Sequence, residues 1–321
     1  MNTPILESVA AESAPAALPA NAALAHTLVT LIRREFWEHR SLWVAPLLTA
    51  ALLALCAIPG VARFDLGMVH MHTNAPAGLF TEEQRLGMST IVQWALWGPL
   101  YLVMLFVVGF YLIDCLYAER RDRSILFWKS LPVSDALTVL SKLLVALAVV
   151  PLMVFALALL TYVVFAGIWQ ANVALGRAPA ILAFDPLVWL KVEIAMLLGF
   201  ILSALWYAPI AAYFMLVSAW ARGKPLLWAL LPLVLTLIER IAFGTHYLYN
   251  FIAYRLGGIW RTLSQGYVQH SGGLATLRPY TLLGELNFGA AFLDIDLWLG
   301  VLAAALMLYA AVRIRRYRDD S

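Results

Sequence analysis

Five or six apolar runs are long enough to cross the hydrocarbon of a bilayer, which takes roughly 17–25 residues, and they constrain this chain more than any other feature. They read as Leu42–Pro59, Ile91–Leu116, Leu137–Ile168, Trp189–Trp220, Leu226–Phe243 and Leu297–Val312. The third and fourth exceed the minimum and are read as tilted or as extending past the lipid. The last is the shortest and has room to begin nearer Phe292. Apolar residues make up 63% of the chain and charged residues only 13%. A soluble fold near 25% charged covers its surface with polar groups, and this chain lacks them. The expected fold class is therefore an all-α, multi-pass membrane protein with six transmembrane helices.

The basic residues orient these spans. With an even number of crossings both termini share a side. That side holds Arg33, Arg34 and Arg40, then Arg120, Arg121, Arg123 and Lys129, then Arg222 and Lys224, and finally Arg313, Arg315, Arg316 and Arg318. Eight others, among them Arg63, Arg85, Arg177 and Lys191, fall in the longer connections opposite. Short basic loops stay inside, while long loops cross with little regard to charge. Both ends are thus expected in the cytoplasm, with the protein in the cell (inner) membrane. Residues 1–23, rich in Ala and Pro with Glu7 and Glu12 but no Lys or Arg, lack a basic signal region and read as a disordered cytoplasmic tail. Residues 24–321 form a single transmembrane domain. Cys56 and Cys115 lie in or at the ends of apolar runs and read as small buried hydrophobes, without metal spacing or a disulfide framework. Pro99, Pro151, Pro209 and Pro232 fall inside spans, where they are expected to kink the helices.

Ahead of the first span, Leu24, Leu28, Leu31, Ile32 and Phe36 recur at helical spacing, with Arg33, Arg34, Glu38 and Arg40 on much of the opposite surface. Arg34 and Glu38 are four apart and able to pair. The segment 24–40 reads as an amphipathic helix lying in the cytoplasmic interface, anchored by Trp37 and Trp43 and free to touch a cytoplasmic partner. The connection after the second span runs from Tyr117 to Asp135 and places Ile125, Leu126, Phe127 and Trp128 beside a cluster of charges. It stops at Pro132, after which Ser134 or Asp135 is expected to cap the third span. It is too short for a domain, and bulky apolar groups next to charges suit a short helix seated in a groove of another protein.

The order Glu119, a basic run, Ser124-Ile125, then Leu131-Pro132-Val133-Ser134 and Lys142 resembles the cytoplasmic loop of type-two ATP-binding-cassette (ABC) exporter permeases. An interfacial helix, six spans and a large outer connection between spans five and six agree with that family from about Leu24 to Arg318. Many members place Gly before the Ser or Thr and an acidic residue two places after it, where this chain has Arg123 and Leu126. The resemblance implies a permease subunit without catalysis of its own, coupling ATP hydrolysis in a separate ABC ATPase subunit to movement of a substrate across the membrane. It implies a coupling helix within Glu119, Arg120, Arg121, Asp122, Arg123, Ile125, Phe127, Trp128, Lys129, Ser134 and Asp135. It also implies that Arg33, Arg34, Trp37, Glu38 and Arg40 rest against the same ATPase. Two permeases would pair above two ATPases, and ATP and Mg would be bound by the partner alone.

The outer connection from Gly244 to Asp296 is rich in aromatics, including Tyr247, Tyr249, Phe251, Tyr254 and Trp260. Tyr247 to Leu263 is expected to form a helix, broken at Gly257-Gly258 and again at Gly272-Gly273. Glu239 and Arg240 near the outer end of span five are candidates for local pairing or for facing the pathway, and Asp114 for neutralisation by Arg120 or Arg121. No G-x-x-x-x-G-K-[ST], H-E-x-x-H or G-x-S-x-G occurs, so the usual nucleotide, zinc-protease and serine-hydrolase signals are missing. His70 and His72 are a weak metal pair, and nucleic-acid binding has no support because the basic residues fit membrane orientation. The rival expectation is a membrane-embedded enzyme or assembly factor using the aromatic outer region as its site.

Overall fold

The computed structural model describes residues 20–58, 81–124, 133–178, 182–270 and 286–317. Among the described residues the chain is helical throughout and contains no strand. Helices α1 (Ala20–Glu38) and α2 (Ser41–Leu55) come first, then α3 (Glu82–Asp114) and the single turn α4 (Tyr117–Arg121). Helices α5 (Asp135–Leu144) and α6 (Val150–Ala174) are joined by a π-helical turn, Val145–Val149. There follow α7 (Pro186–Trp220), α8 (Pro225–Ala229), α9 (Leu231–Phe243), α10 (Tyr247–His270), α11 (Phe288–Leu293) and α12 (Ile295–Tyr317).

Local chemistry sets the helix starts. Thr81 and Gln84 form a reciprocal capping box on α3, whose first turn carries Glu82 and Glu83. Ser134 accepts the Leu137 N–H and caps α5, as its position before Asp135 predicts. Asp185 accepts from Leu187 and Val188, and Pro186 opens α7 where its missing N–H costs nothing. Pro99 and Pro209 lie within α3 and α7. Ahead of Pro151 the backbone widens into the π turn, which accommodates a residue that cannot donate to the preceding turn.

Among the described residues, four stretches are long and apolar enough to cross a membrane: Glu82–Arg121, Asp135–Ala174, Pro186–Trp220 and Ile295–Tyr317. They take in the second, third, fourth and sixth expected spans. The first expected span is represented by α2, which is shorter at 15 residues. The fifth is interrupted at Leu230 between α8 and α9, because Pro232 has no N–H to offer the Trp228 carbonyl.

Helix α12 lies along α7 in the most extensive helix–helix seam, and α2 packs on α3 and α6. Small side chains let the backbones approach. Ala146, Val150, Val154 and Ala158 are buried at four-residue spacing, and Ala304 and Ala311 on α12 are buried at seven-residue spacing. The core formed with Leu100, Met104, Val108, Phe200 and Met215 is continuous through the bundle. Outward, Phe106 and Phe110 on α3, Leu160 and Val163 on α6, and Leu302 and Leu306 on α12 are exposed. Helix α9 buries none of its side chains. An apolar exterior of this extent is matched by lipid and not by water.

The helix expected to break at Gly257-Gly258 instead runs unbroken from Tyr247 to His270. Glycine inside a helix costs only about 1 kcal/mol relative to alanine, which tertiary contact readily offsets. At Gly258 that contact is steric: a Cβ would lie 2.9 Å from Cζ2 of Trp206 and 3.1 Å from the Tyr254 ring. Trp206 Nε1 donates to the Arg255 carbonyl at 2.7 Å, and Tyr207 donates to the Leu256 carbonyl at 2.8 Å. Tyr254 reaches Asp296 at 2.9 Å, so α10 is fastened to both α7 and the start of α12. Glu239 accepts from the Thr245 hydroxyl and from the backbone of Tyr247 and Leu248, capping α10 after the left-handed turn at Gly244. Gly272-Gly273, like His70 and His72, lies outside the described residues.

Gly258→Ala is expected to push Trp206 from its seat and destabilise the protein by about 1–3 kcal/mol. The check is the thermal midpoint of the purified protein in detergent, followed by tryptophan fluorescence; an unchanged midpoint would show that the close approach is not constraining.

Candidate functional site

At the end of the bundle where α1, α4, α5 and α12 meet, charged side chains are buried together. Glu35 is 1% exposed, Glu119 4%, Lys142 0% and Arg315 4%. Each burial has a local cause. Glu35 falls on the face of α1 that also carries Leu31, Ile32 and Phe36, and that face packs on the core. Lys142 lies one α-helical turn beyond Thr138, on the stripe that α5 turns inward. Arg315 continues the buried Ala304–Ala311 stripe of α12. Glu119 is presented by α4, whose preceding residues are anchored when Ser218 accepts the Leu116 and Tyr117 N–H groups, each at 3.0 Å.

A charge out of water is tolerable only when paired and hydrogen-bonded, and here the pairing is mutual. The Lys142 ammonium donates to Glu35 Oε1 at 2.7 Å and lies 3.1 Å from Glu119 Oε1. Tyr111 donates to the other Glu35 oxygen at 2.8 Å. The Arg315 guanidinium donates to Glu119 Oε2 through Nη1 and, through Nε, to Asp135 at 3.0 Å. Arg34 holds Glu38 through two donors at 2.6 and 3.0 Å and reaches Glu119 at 3.4 Å. One arginine thus ties the beginning of the 119–135 connection to its end, while one lysine ties α5 to α1 and α4.

Of the residues the sequence points to, Glu119, Arg34, Glu38 and Asp135 are brought together here, and Ser134 caps α5 beside them. Arg120 donates to the Ser218 and Ala221 carbonyls at 2.7 and 2.8 Å and so caps the end of α7. Arg121 pairs with Asp122 at the surface, Arg123 is exposed with a positive φ of 54°, and Arg33 stacks over the exposed Trp37 ring at 5.2 Å. Arg40 is exposed between α1 and α2. Ile125, Phe127, Trp128 and Lys129 lie outside the described residues. The residues that sequence reasoning passed over are Glu35 and Tyr111, with Arg315 weighed only for topology and Lys142 only as a point of resemblance. One signal was available: of the basic residues inside the apolar runs, Lys142 is the one that belongs to neither set of loop charges.

Glu35, Glu38 and His39 offer ligand atoms within 4.8 Å of one another. Glu35, however, already accepts from Lys142 and Tyr111, so an ammonium stands where a cation would sit. His39 packs edge-on against Tyr111 with centroids 4.9 Å apart, at the rim of a cleft of about 370 Å³ that Asp114 and Pro225 also line. Burial pushes the His39 imidazole below its ordinary value, with Glu35 opposing and Lys142 adding to the shift. Among the described residues, the site offers neither a nucleophile beside a base nor a free metal cradle. It offers a mechanical joint of interlocked charges. The chain matches no protein family, no curated protein and no solved structure.

Lys142→Met should destabilise the protein by about 3–5 kcal/mol, because two carboxylates are left buried without their shared cation. Adding Glu35→Gln to that variant should recover part of the loss; thermal midpoints of the single and double variants measure both. Because folding holds the His39 pKa down, its contribution to stability is present above the ordinary imidazole value of about 6.5 and is lost as pH falls through the folded value. His39→Gln should therefore flatten the decline of the thermal midpoint between about pH 7 and 5, where unfolded histidine takes up its proton.

Proposed function

We propose that the chain is the membrane-spanning subunit of an ABC exporter, driven by a separate ATPase that closes beneath it. The observation that carries the proposal is the tie between the two ends of the 119–135 connection. Arg315 binds Glu119 and Asp135 together, and Lys142 and Arg34 join the same carboxylate to α5 and α1. A force applied to the residues between those ends would reach α1, α3, α5 and α12 as a rigid-body movement and would not dissipate in a loose loop. The resemblance of Glu119 to Ser134 and Lys142 to the cytoplasmic loop of type-two exporter permeases supports the same reading.

In this reading α2 and the α8–α9 pair complete six crossings, and both termini face the cytoplasm, where α1 lies along the interface. Exposed Arg33, Trp37 and Arg40 suit contact with headgroups or with the ATPase. Glu119 acts from within: buried, it transmits what the ATPase delivers to Arg121, Asp122, Arg123, Ile125, Phe127, Trp128 and Lys129. Two copies pair in the membrane above two ATPases, and ATP and Mg belong to the ATPases. The short basic segments at the ion-network end favour that end as cytoplasmic.

The test is to look beside this chain's reading frame for one encoding a phosphate-loop ATPase and to co-purify the two products. Phe127→Ala together with Trp128→Ala should reduce recovery of that ATPase several-fold while membrane insertion stays intact. Undiminished recovery of the ATPase with the double variant would remove the 119–135 connection from the contact.

A further inference from the structure

The opposite end of the bundle holds a second buried charge-bearing group of a different kind. Glu193 on α7 is 5% exposed and Gln93 on α3 is 2% exposed, two positions inside apolar helices. Their side chains meet at 2.5 Å. The other Glu193 oxygen has no hydrogen-bond partner, and among the described residues no cation pairs with the carboxyl. The contrast with Glu35 and Glu119 is sharp, since each of those is met by ammonium or guanidinium.

Among the described residues, the groups around Glu193 offer it no positive charge. From α3 come Thr90, Gln93 and Trp94, with Arg85 two turns away donating to the Leu182 carbonyl at 3.2 Å. From α6 comes Tyr162, a neutral phenol close to Glu193. Leu286 and Phe288, packed on Val188, Val192 and Ala195 of the same helix, carry none. Lys191, two residues along α7, is turned about 200° round the helix. An ionised carboxylate here would face a desolvation cost with only one amide to offset it, whereas the neutral acid faces far less.

The geometry of the contact agrees. N–H···O hydrogen bonds run from about 2.7 to 3.2 Å, while O–H···O bonds reach about 2.5 Å. A glutamine amide exchanges its oxygen and nitrogen by a half-turn about its last bond. Turned so, Gln93 accepts from a protonated Glu193, a pairing whose range extends down to about 2.5 Å. Tyr162 also lines a cleft of about 330 Å³, together with Ser89, Trp169, Gln170 and Phe184, and that cleft is the route we assign to water.

We propose that Glu193 and Gln93 form a proton-binding site that latches α3 to α7. While the helices are closed the carboxyl carries a proton and is shared with Gln93. When they part, water enters by the Tyr162 cleft and the proton leaves to it, so the open arrangement is favoured as the proton concentration on that side falls. The orientation proposed above makes that side the cell exterior; the latch itself does not depend on the ATPase.

The experiment is infrared difference spectroscopy on the purified full chain in lipid nanodiscs, titrated between about pH 5 and 9, a range wide enough to capture a desolvated carboxyl. The wild-type spectrum minus that of Glu193→Gln should contain a protonated-carboxyl stretch at neutral pH that is lost on the alkaline side. Spin labels at Glu82→Cys and Leu187→Cys, in a Cys56→Ser background, should move apart over the same range in the wild-type sequence and stay fixed with Glu193→Gln. Absence of the band at every pH, or label movement that persists with Glu193→Gln, overturns the proposal. Failure of Glu193→Gln to fold while Glu193→Asp folds overturns it too, because a neutral isostere should replace a neutral acid. Neither readout involves an ATPase, so the latch and the exporter reading stand or fall separately.

Discussion

The Lys142 ammonium stands between Glu35 and Glu119, fully removed from solvent, and much of the architecture follows from that position. Removing one unit charge from water costs several kcal/mol, and here three are removed within one hydrogen-bonding radius. Such a group holds together only if α1, α4 and α5 arrive at one place with their side chains already aimed. Helix α1 is thereby held to the bundle, and α4 is kept from fraying beyond α3. A buried ion set of this kind gives little net stability over an apolar replacement, since desolvation offsets most of the attraction. What it gives is a single register among four helices that apolar packing alone would allow to slide. We read that as its reason for being there, and as the property a force-transmitting joint requires.

The two ends of the bundle solve burial differently. At the ion-network end, opposite charges neutralise one another and arginine side chains cap carbonyls, as Arg120 does for the end of α7. At the other end the fastenings are aromatic: Trp206, Tyr207 and Tyr254 anchor α10 through hydrogen bonds, and Arg255 stacks over Trp206 at 4.6 Å. The long seam between α7 and α12 runs from the aromatic end to the ionic one, with Leu297 near one extreme and Arg315 at the other. Movement at either end is therefore carried along a pair of helices already locked by small side chains.

Helical membrane architecture is legible in this sequence because it rests on run length and composition, which neighbouring residues alone determine. The Ser134 cap and the Arg34–Glu38 pair are legible for the same reason: both partners lie within one turn. The ion network is only half legible. Glu119 and Asp135 stand out as charges in a loop, but Glu35 hides on an otherwise apolar helical face. Its meaning appears only once Lys142, 107 residues away, is brought beside it. Glu193 is likewise invisible until Gln93 is opposite. Gly257-Gly258 misleads because a sequence window registers the cost of glycine in a helix and not the indole of Trp206 that requires it. The interruption at Leu230 was foreshadowed by Pro232, whose missing donor reads as a kink in the fifth run and emerges as a division.

The widened turn at Val145–Val149 has a consequence for how the third apolar stretch is phased. On a regular helix successive residues advance by about 100°, so Lys142 and the later stripe of Val150, Val154 and Ala158 would point about a quarter-turn or more apart. The extra residue accommodated in the wide turn cancels that offset. The stripe facing α2 and α3 and the stripe facing the ions then lie along one line. A 40-residue rod with a single dry side is thereby assembled from two segments whose natural rotations disagree, and the rotational correction sits midway between the charged end and the apolar middle.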